Sequence, residues 1–174
     1  MKLDYPQALK RVDEARGAWI MYGQEPLLEQ NLLDAFRQSW HKQEIERQRY
    51  DISNVGDWKT VFNALNSLSL FSNQLAIEVH GNIKPDASSL KLLKHYIQHN
   101  EQNLLLVVMP KQDSSSLKSS FFQVVDANGV TVPLTANYPQ DRQRILGIEA
   151  EKLGIKLAND AWQCLEQHHE HNIL

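Results

Sequence analysis

The sequence predicts an α/β protein, a mostly parallel sheet with helices on both faces, followed by a small helical segment. Three observations carry this. Short apolar runs of strand length alternate five times with stretches of helical periodicity. Gly23, Gly56, Pro110 and Asn128-Gly129 punctuate the changes from one to the other. From Tyr138-Pro139 onward only helical patterns remain.

A short amphipathic lead covers residues 5–15. Gly17 then opens Ala18-Trp19-Ile20-Met21-Tyr22, short and apolar enough for a buried strand, and Gly23 ends it. Pro26 fits the first turn of a helix, where its missing N–H costs nothing, and Leu28, Leu32, Ala35 and Phe36 form the inward stripe. Residues 49–52 make a second, weaker strand, followed by a turn at Gly56. Asp57 begins the next helix and is expected to accept a hydrogen bond from the free N–H groups of the first turn. At about 100° per residue, Trp58, Val61, Phe62 and Leu65 share the face a core covers.

Residues 75–79 are the third strand. Pro85-Asp86 starts a helix with Leu90, Leu93 and Ile97 inward, and residues 104–109 form the clearest buried strand, stopped by Pro110. Ser114-Ser115-Ser116 is expected to cap a helix with Leu117, Phe121 and Val124 on one side. Asn128-Gly129 turns into the fifth strand, residues 130–134, where Pro133 cannot donate to a ladder, so the strand is at an edge or ends there. The domain boundary falls after residue 138. Helices over 141–153 and, past Gly154, from 160 to about 168 would open a second unit, 139–174. Two helices cannot enclose a core. They either lean on the sheet or belong to a longer protein.

Composition narrows the class. With 42% apolar and 22% charged residues, the 174-residue chain has room for one full domain and part of another. A net charge of −3 argues against a broad phosphate-binding surface. The single cysteine, Cys164, excludes an internal disulfide framework and a four-cysteine zinc site, which suits a reducing cytoplasm. Residues 1–6 carry charge and proline where a signal peptide has its apolar run, and no apolar stretch approaches the roughly 20 residues of a membrane helix.

Strand, glycine, helix is the layout in which nucleoside triphosphatases place a phosphate loop. That loop needs a second glycine for wrapping the phosphates, then Lys and Ser/Thr. Here Gly23-Gln24-Glu25-Pro26-Leu27-Leu28-Glu29-Gln30 offers none of these, and Glu25 and Glu29 would repel an anion. No magnesium-holding acid pair ends a core strand, since Val108 runs into Met109-Pro110 and Val79 into His80-Gly81. No cofactor is expected. His168-His169-Glu170-His171 reads as a solvated tail rather than a metal site, because adjacent histidines point to different faces. His41, His80, His95 and His99 share no repeated partner, and Lys42 to Arg49 alternates in sign as a solvated face does. No His or Asp can be paired with the serine cluster from the sequence to make it a nucleophile. No catalytic residue is expected.

Leu70 and Phe71 lie off the stripe of the helix that Asp57 begins, either on its opposite side or past its end, before the third strand. Such a pair either tucks under the domain or meets a partner. The string Ser67-Leu68-Ser69-Leu70-Phe71 resembles the short Leu-Ser/Asp-Leu-Phe peptide with which bacterial proteins dock on the sliding DNA clamp, with Ser67 where Gln is preferred. Tyr22-Gly23-Gln24-Glu25-Pro26-Leu27-Leu28 is similar to the Gly-Asn/Gln-Asp/Glu-Pro-Leu-Leu segment of one family, and residues 150–155 with Asp160-Ala161 resemble the opening of its second domain. That family is the delta subunit of the bacterial DNA polymerase III clamp loader, and the resemblance is to its N-terminal half.

The resemblance implies a P-loop NTPase-like fold of the AAA+ type with a degenerate nucleotide loop at Gly23, Gln24, Glu25 and Pro26, over 1–138, then a partial helical lid, 139–174. It implies a subunit that binds and opens the ring-shaped beta clamp for loading onto primed DNA, without hydrolysing ATP. Leu70 and Phe71, with Leu68, Ser69 and Ser67, would be the clamp contacts. Gamma/tau and delta-prime subunits would be further partners in the full-length protein. Two alternatives stay open: a general clamp-binding module, or a small α/β enzyme with its site at the C-terminal ends of the strands.

Overall fold

In the computed structural model, which describes residues 1–66, 74–99, 102–136, 139–156, 158, 160, 161 and 164, five segments pair into one sheet. They are β1 (Gly17–Gly23), β2 (Glu46–Asp51), β3 (Leu75–His80), β4 (Leu104–Pro110) and β5 (Val130–Leu134). The order is β2-β3-β4-β1-β5, and every pairing is parallel. Parallel neighbours need long crossovers, which five of the seven helices described supply, the other two and a 3-10 turn lying before β1 or after β5. In chain order the helical elements are α1 (Tyr5–Leu9), the turn Val12–Glu14, α2 (Pro26–Lys42), α3 (Asp57–Asn66), α4 (Ala87–His99), α5 (Ser114–Leu117), α6 (Ser120–Asn128) and α7 (Pro139–Lys152).

Covered on both faces, β1 and β4 are apolar throughout their centres, whereas edge strand β2 alternates half-buried and exposed residues. Pro133 lies on β5, the last strand in the order, which pairs with β1 and on its outer side carries a parallel bridge from Thr131 to Lys2. One sheet face packs Trp19, Met21, Leu106 and Val132 against α1, α2 and Ile145 of α7. Trp19 and Phe36 meet edge to face at 5.4 Å there. The opposite face packs Ile20, Ile77, Leu105 and Val107 against α3, α4 and α6.

Trp58, Val61, Phe62 and Leu65 are all buried, and the Trp58 indole donates to the Ile83 carbonyl at 2.9 Å. Turning α3 over to offer this stripe elsewhere would forfeit about 1.5–3 kcal/mol for each side chain, so the stripe is committed to the core.

Five expectations are corrected. The second strand begins at Glu46, because pairing with β3 rather than apolar content defines it. Asp57 does not cap its own helix. Its carboxylate turns back to accept from the Ser53 and Asn54 N–H groups at 2.8 and 2.9 Å, which holds it below its ordinary range. The serines do not cap their helix either: Asp113 accepts from Ser116 N–H, and the helix stops after Leu117. Restarting at Ser120 resets the helical phase, so Phe121, Phe122 and Val125 are buried, while Leu117 and Val124 are only partly so. In α4, Tyr96 joins Leu93 in the core, with Leu90 and Ile97 at its margin.

Candidate functional site

The central strands β1 and β4 are level at both ends, since Gly17 pairs with Leu104 and Gly23 with Pro110. Two distinct places follow. One lies beyond the C-terminal ends of β1, β3 and β4, where open parallel sheets take ligands. The other is the N-terminal end, from which α3 leads towards β3.

At the C-terminal end there is a cavity of about 590 Å³, lined by Gly23, Gln24, Pro26, Glu29, Arg37, His80 and neighbouring residues. Gly23 is a glycine for packing reasons. A Cβ there would run into the Leu134 carbonyl oxygen and side chain, so β5 and not a ligand demands its absence. Glu25 precedes α2 and makes no side-chain cap bond, and Pro26 occupies the first turn as expected. Glu29 faces the cavity with a carboxylate where phosphates would need donors.

The cationic groups of this region are already engaged. Glu78, in the middle of β3, is fully buried. Arg37 of α2 donates to it through Nη2 at 2.8 Å and Nε at 3.3 Å, Arg47 of β2 through Nε at 2.9 Å, and the His80 ring Nε2 lies 2.6 Å away. Burial alone would push the Glu78 carboxyl up. The bonds from His80, Arg37 and Arg47 overcome this and hold it well below the usual carboxylate range, while Glu78 raises Arg37 in turn. The network ties α2, β2 and β3 together beside the cavity, which Arg37 and His80 line. Sequence reasoning passed over it. The available signal was a lone Glu inside the apolar run 75–79.

At the N-terminal end, Ser67, Leu68, Ser69, Leu70 and Phe71 lie outside the described residues, but both of their flanks are described. The peptide N–H of Leu75 donates to Asn103 Oδ1 at 2.9 Å, and Asn103 Nδ2 donates to the Leu65 carbonyl at 3.4 Å. The Asn103 carbonyl accepts from Gly17 N–H at 3.0 Å and from the Tyr96 hydroxyl at 2.8 Å. Burial raises the Tyr96 hydroxyl well above its ordinary value, which keeps it a donor.

Among the described residues no group of three or more His, Cys, Asp or Glu side chains could hold a metal ion, and no helix is long and apolar enough to cross a membrane. The tail at 168–171 lies outside them.

Compared with known proteins, the chain is 28% identical over 176 residues to DNA polymerase III subunit delta of Escherichia coli, an alignment covering 98% of this chain and 51% of that protein. Its fold superimposes on the Bacillus subtilis DNA clamp loader delta protein with a TM-score of 0.70 at 12% identity, over 93% of this chain and 51% of that one. Thermotoga maritima RuvB gives a TM-score of 0.51 at 13% identity, over 97% and 55% of the two chains. The fold is thus P-loop NTPase-like, of the AAA+ type. The chain spans about half the length of the relatives it matches. The family model described as "DNA polymerase III, delta subunit" matches residues 19–134, so the chain belongs to the DNA polymerase III delta-subunit family.

Proposed function

We propose that this chain is the clamp-binding part of its delta subunit, binding and helping to open the beta clamp without hydrolysing ATP. The observation that carries it is the family match across 19–134, a span that includes the connection between α3 and β3 with its Leu68-Ser69-Leu70-Phe71 string. Leu70 and Phe71 would fill an apolar pocket on the clamp, flanked by Leu68, Ser69 and Ser67. Opening then requires only that the chain bind the open ring more tightly than the closed one, so no covalent step is asked of it. The gamma/tau and delta-prime subunits would join through the rest of the protein, and primed DNA would be met through the assembled complex in the cytoplasm. An enzyme with its site at the C-terminal ends of the strands would need free, convergent polar groups there. Arg37 and His80 are instead engaged by Glu78.

Residues 1–138 form the clamp-contacting domain in this scheme, and 139–174 begin the lid. Leu153 and Ile155 are 72% and 49% exposed, as suits helices awaiting further lid residues. Amide exchange should be faster over 146–156 than over 104–110, and equal protection would overturn the boundary. The functional test is direct mixing with purified beta clamp. Co-elution on a sizing column and saturable heat in calorimetry are expected, and separate elution at tens of micromolar would refute clamp binding.

A further inference from the structure

The structure brings together two histidines for which the sequence offered no partner. His95 and His99 stand about one turn apart on α4, both exposed, with their rings stacked at 4.2 Å between centroids and 30° between planes. His99 Nδ1 lies 2.9 Å from the His95 carbonyl oxygen. A carbonyl only accepts, so this nitrogen carries the proton, and in the neutral ring Nε2 is left with its lone pair. Holding one ring nitrogen on a backbone carbonyl is how proteins orient an imidazole whose other nitrogen binds a metal. With the His95 ring alongside, a small turn of the two rings brings a nitrogen of each to about 2.0–2.1 Å from one ion.

The surroundings select the kind of ion. No Asp or Glu occurs in α4, whose exposed residues also include Lys91 and Lys94. A hard cation such as magnesium therefore finds no carboxylate on this helix, and two positive charges beside the pair. A divalent ion with a strong bond to imidazole, such as zinc or copper(II), overcomes that repulsion. The pair also lies near the C-terminal end of α4, where the helix dipole favours positive charge.

We propose that His95 and His99 form an exposed two-imidazole site for a divalent transition metal, with water in the remaining coordination positions. The bound ion ties residue 95 to residue 99 and stiffens the last turn of α4. The site stands whether or not the chain binds the clamp.

The experiment titrates zinc, with magnesium as the comparison, into the whole chain and into a tail variant carrying His168→Gln, His169→Gln and His171→Gln. The tail variant separates the pair from the histidines at 168–171, and His95→Gln or His99→Gln is then added to it. Calorimetry reads affinity, ring nitrogen chemical shifts identify the coordinating atom, and amide exchange reads residues 95–99. Saturable zinc uptake below about 1 mM is expected in the tail variant, with magnesium inert. Either substitution on α4 should weaken that uptake about tenfold or more, because the remaining imidazole loses its chelate partner. Zinc should shift His99 Nε2, leave Nδ1 protonated and slow exchange over 95–99. Both rings are exposed, so the melting temperature of the metal-free chain should stay unchanged in every variant.

Zinc uptake by the tail variant that survives His95→Gln or His99→Gln undiminished would overturn the site. So would the absence of saturable uptake below about 1 mM in that variant, or an equal response to magnesium. Coordination of His99 through Nδ1 would overturn it too, since that nitrogen is assigned to the His95 carbonyl.

Discussion

At the C-terminal ends of the strands, side chains from α2, β2 and β3 bind one another: Arg37, Arg47 and His80 converge on buried Glu78. At the N-terminal ends the neutral amide of Asn103 joins the end of α3 to the start of β3. The first arrangement satisfies its charges internally beside the nucleotide position of the fold. The second uses neutral groups, the Leu75 N–H and the Leu65 carbonyl. The contrast teaches where function can reside in this chain. Under the function proposed above, the cations beside the cavity serve the fold, and the clamp contact is assigned to the connection between α3 and β3.

The largest expected effect separates the two ends. Changing Leu70 and Phe71 together to Ala should weaken clamp binding by roughly two to four powers of ten, since burying each such side chain contributes about 1.5–3 kcal/mol and 1.4 kcal/mol is tenfold. The melting temperature should hardly move. A large loss of stability in calorimetry would place the pair in the core instead.

Replacing Glu78 by Gln should do the reverse. Both guanidinium groups keep about a third of their surface in water (33% and 38%). The loss should therefore be about 2–3 kcal/mol, below that of a fully enclosed pair, or roughly 5–10 °C in melting temperature. Clamp affinity should stay within about twofold, well inside the scale of a single net hydrogen bond. A binding loss as large as that of the Leu70/Phe71 change would join the two ends that are separated here.

The same network gives a pH signature. Because the folded Glu78 carboxyl lies below its ordinary value of 4.5, its contribution is complete above that value and is lost as the pH falls through it towards the depressed folded value. Asp57, Asp86 and Asp113, held low mainly by backbone N–H groups, add to the same acid limb. Urea denaturation between pH 3 and 6 should thus show a shallower acid decline for Glu78→Gln. A slope identical to that of the unmodified chain would remove Glu78 as a contributor.

The smallest expected effect is a titration with magnesium and ATP. With Glu29 facing the cavity and Arg37 held by Glu78, no saturable binding is expected at sub-millimolar nucleotide. Saturable, magnesium-dependent heat would show that the ion network opens to admit a phosphate.

Alternation of apolar runs with helical periodicity determined the five strands and their crossovers, because burial on both sheet faces forces residues 18–22 and 104–109 to be apolar throughout. The inward stripe of α3 was equally legible, since the 3.6-residue period leaves Trp58, Val61, Phe62 and Leu65 no other face. The missing lysine and second glycine after Gly23 could also be read directly, as phosphate loops are contiguous in sequence. Tertiary structure alone decided the partners of isolated polar residues. Glu78 meets Arg37 and Arg47 across separations of 41 and 31 residues, and Asn103 meets Leu65 and Leu75 across 38 and 28. Gly23 took its reason from β5, and Asp57 turned away from its own helix. A periodic pattern says which face is buried. Which polar groups satisfy one another depends on where the crossovers bring distant segments side by side, and that is fixed only when the sheet closes.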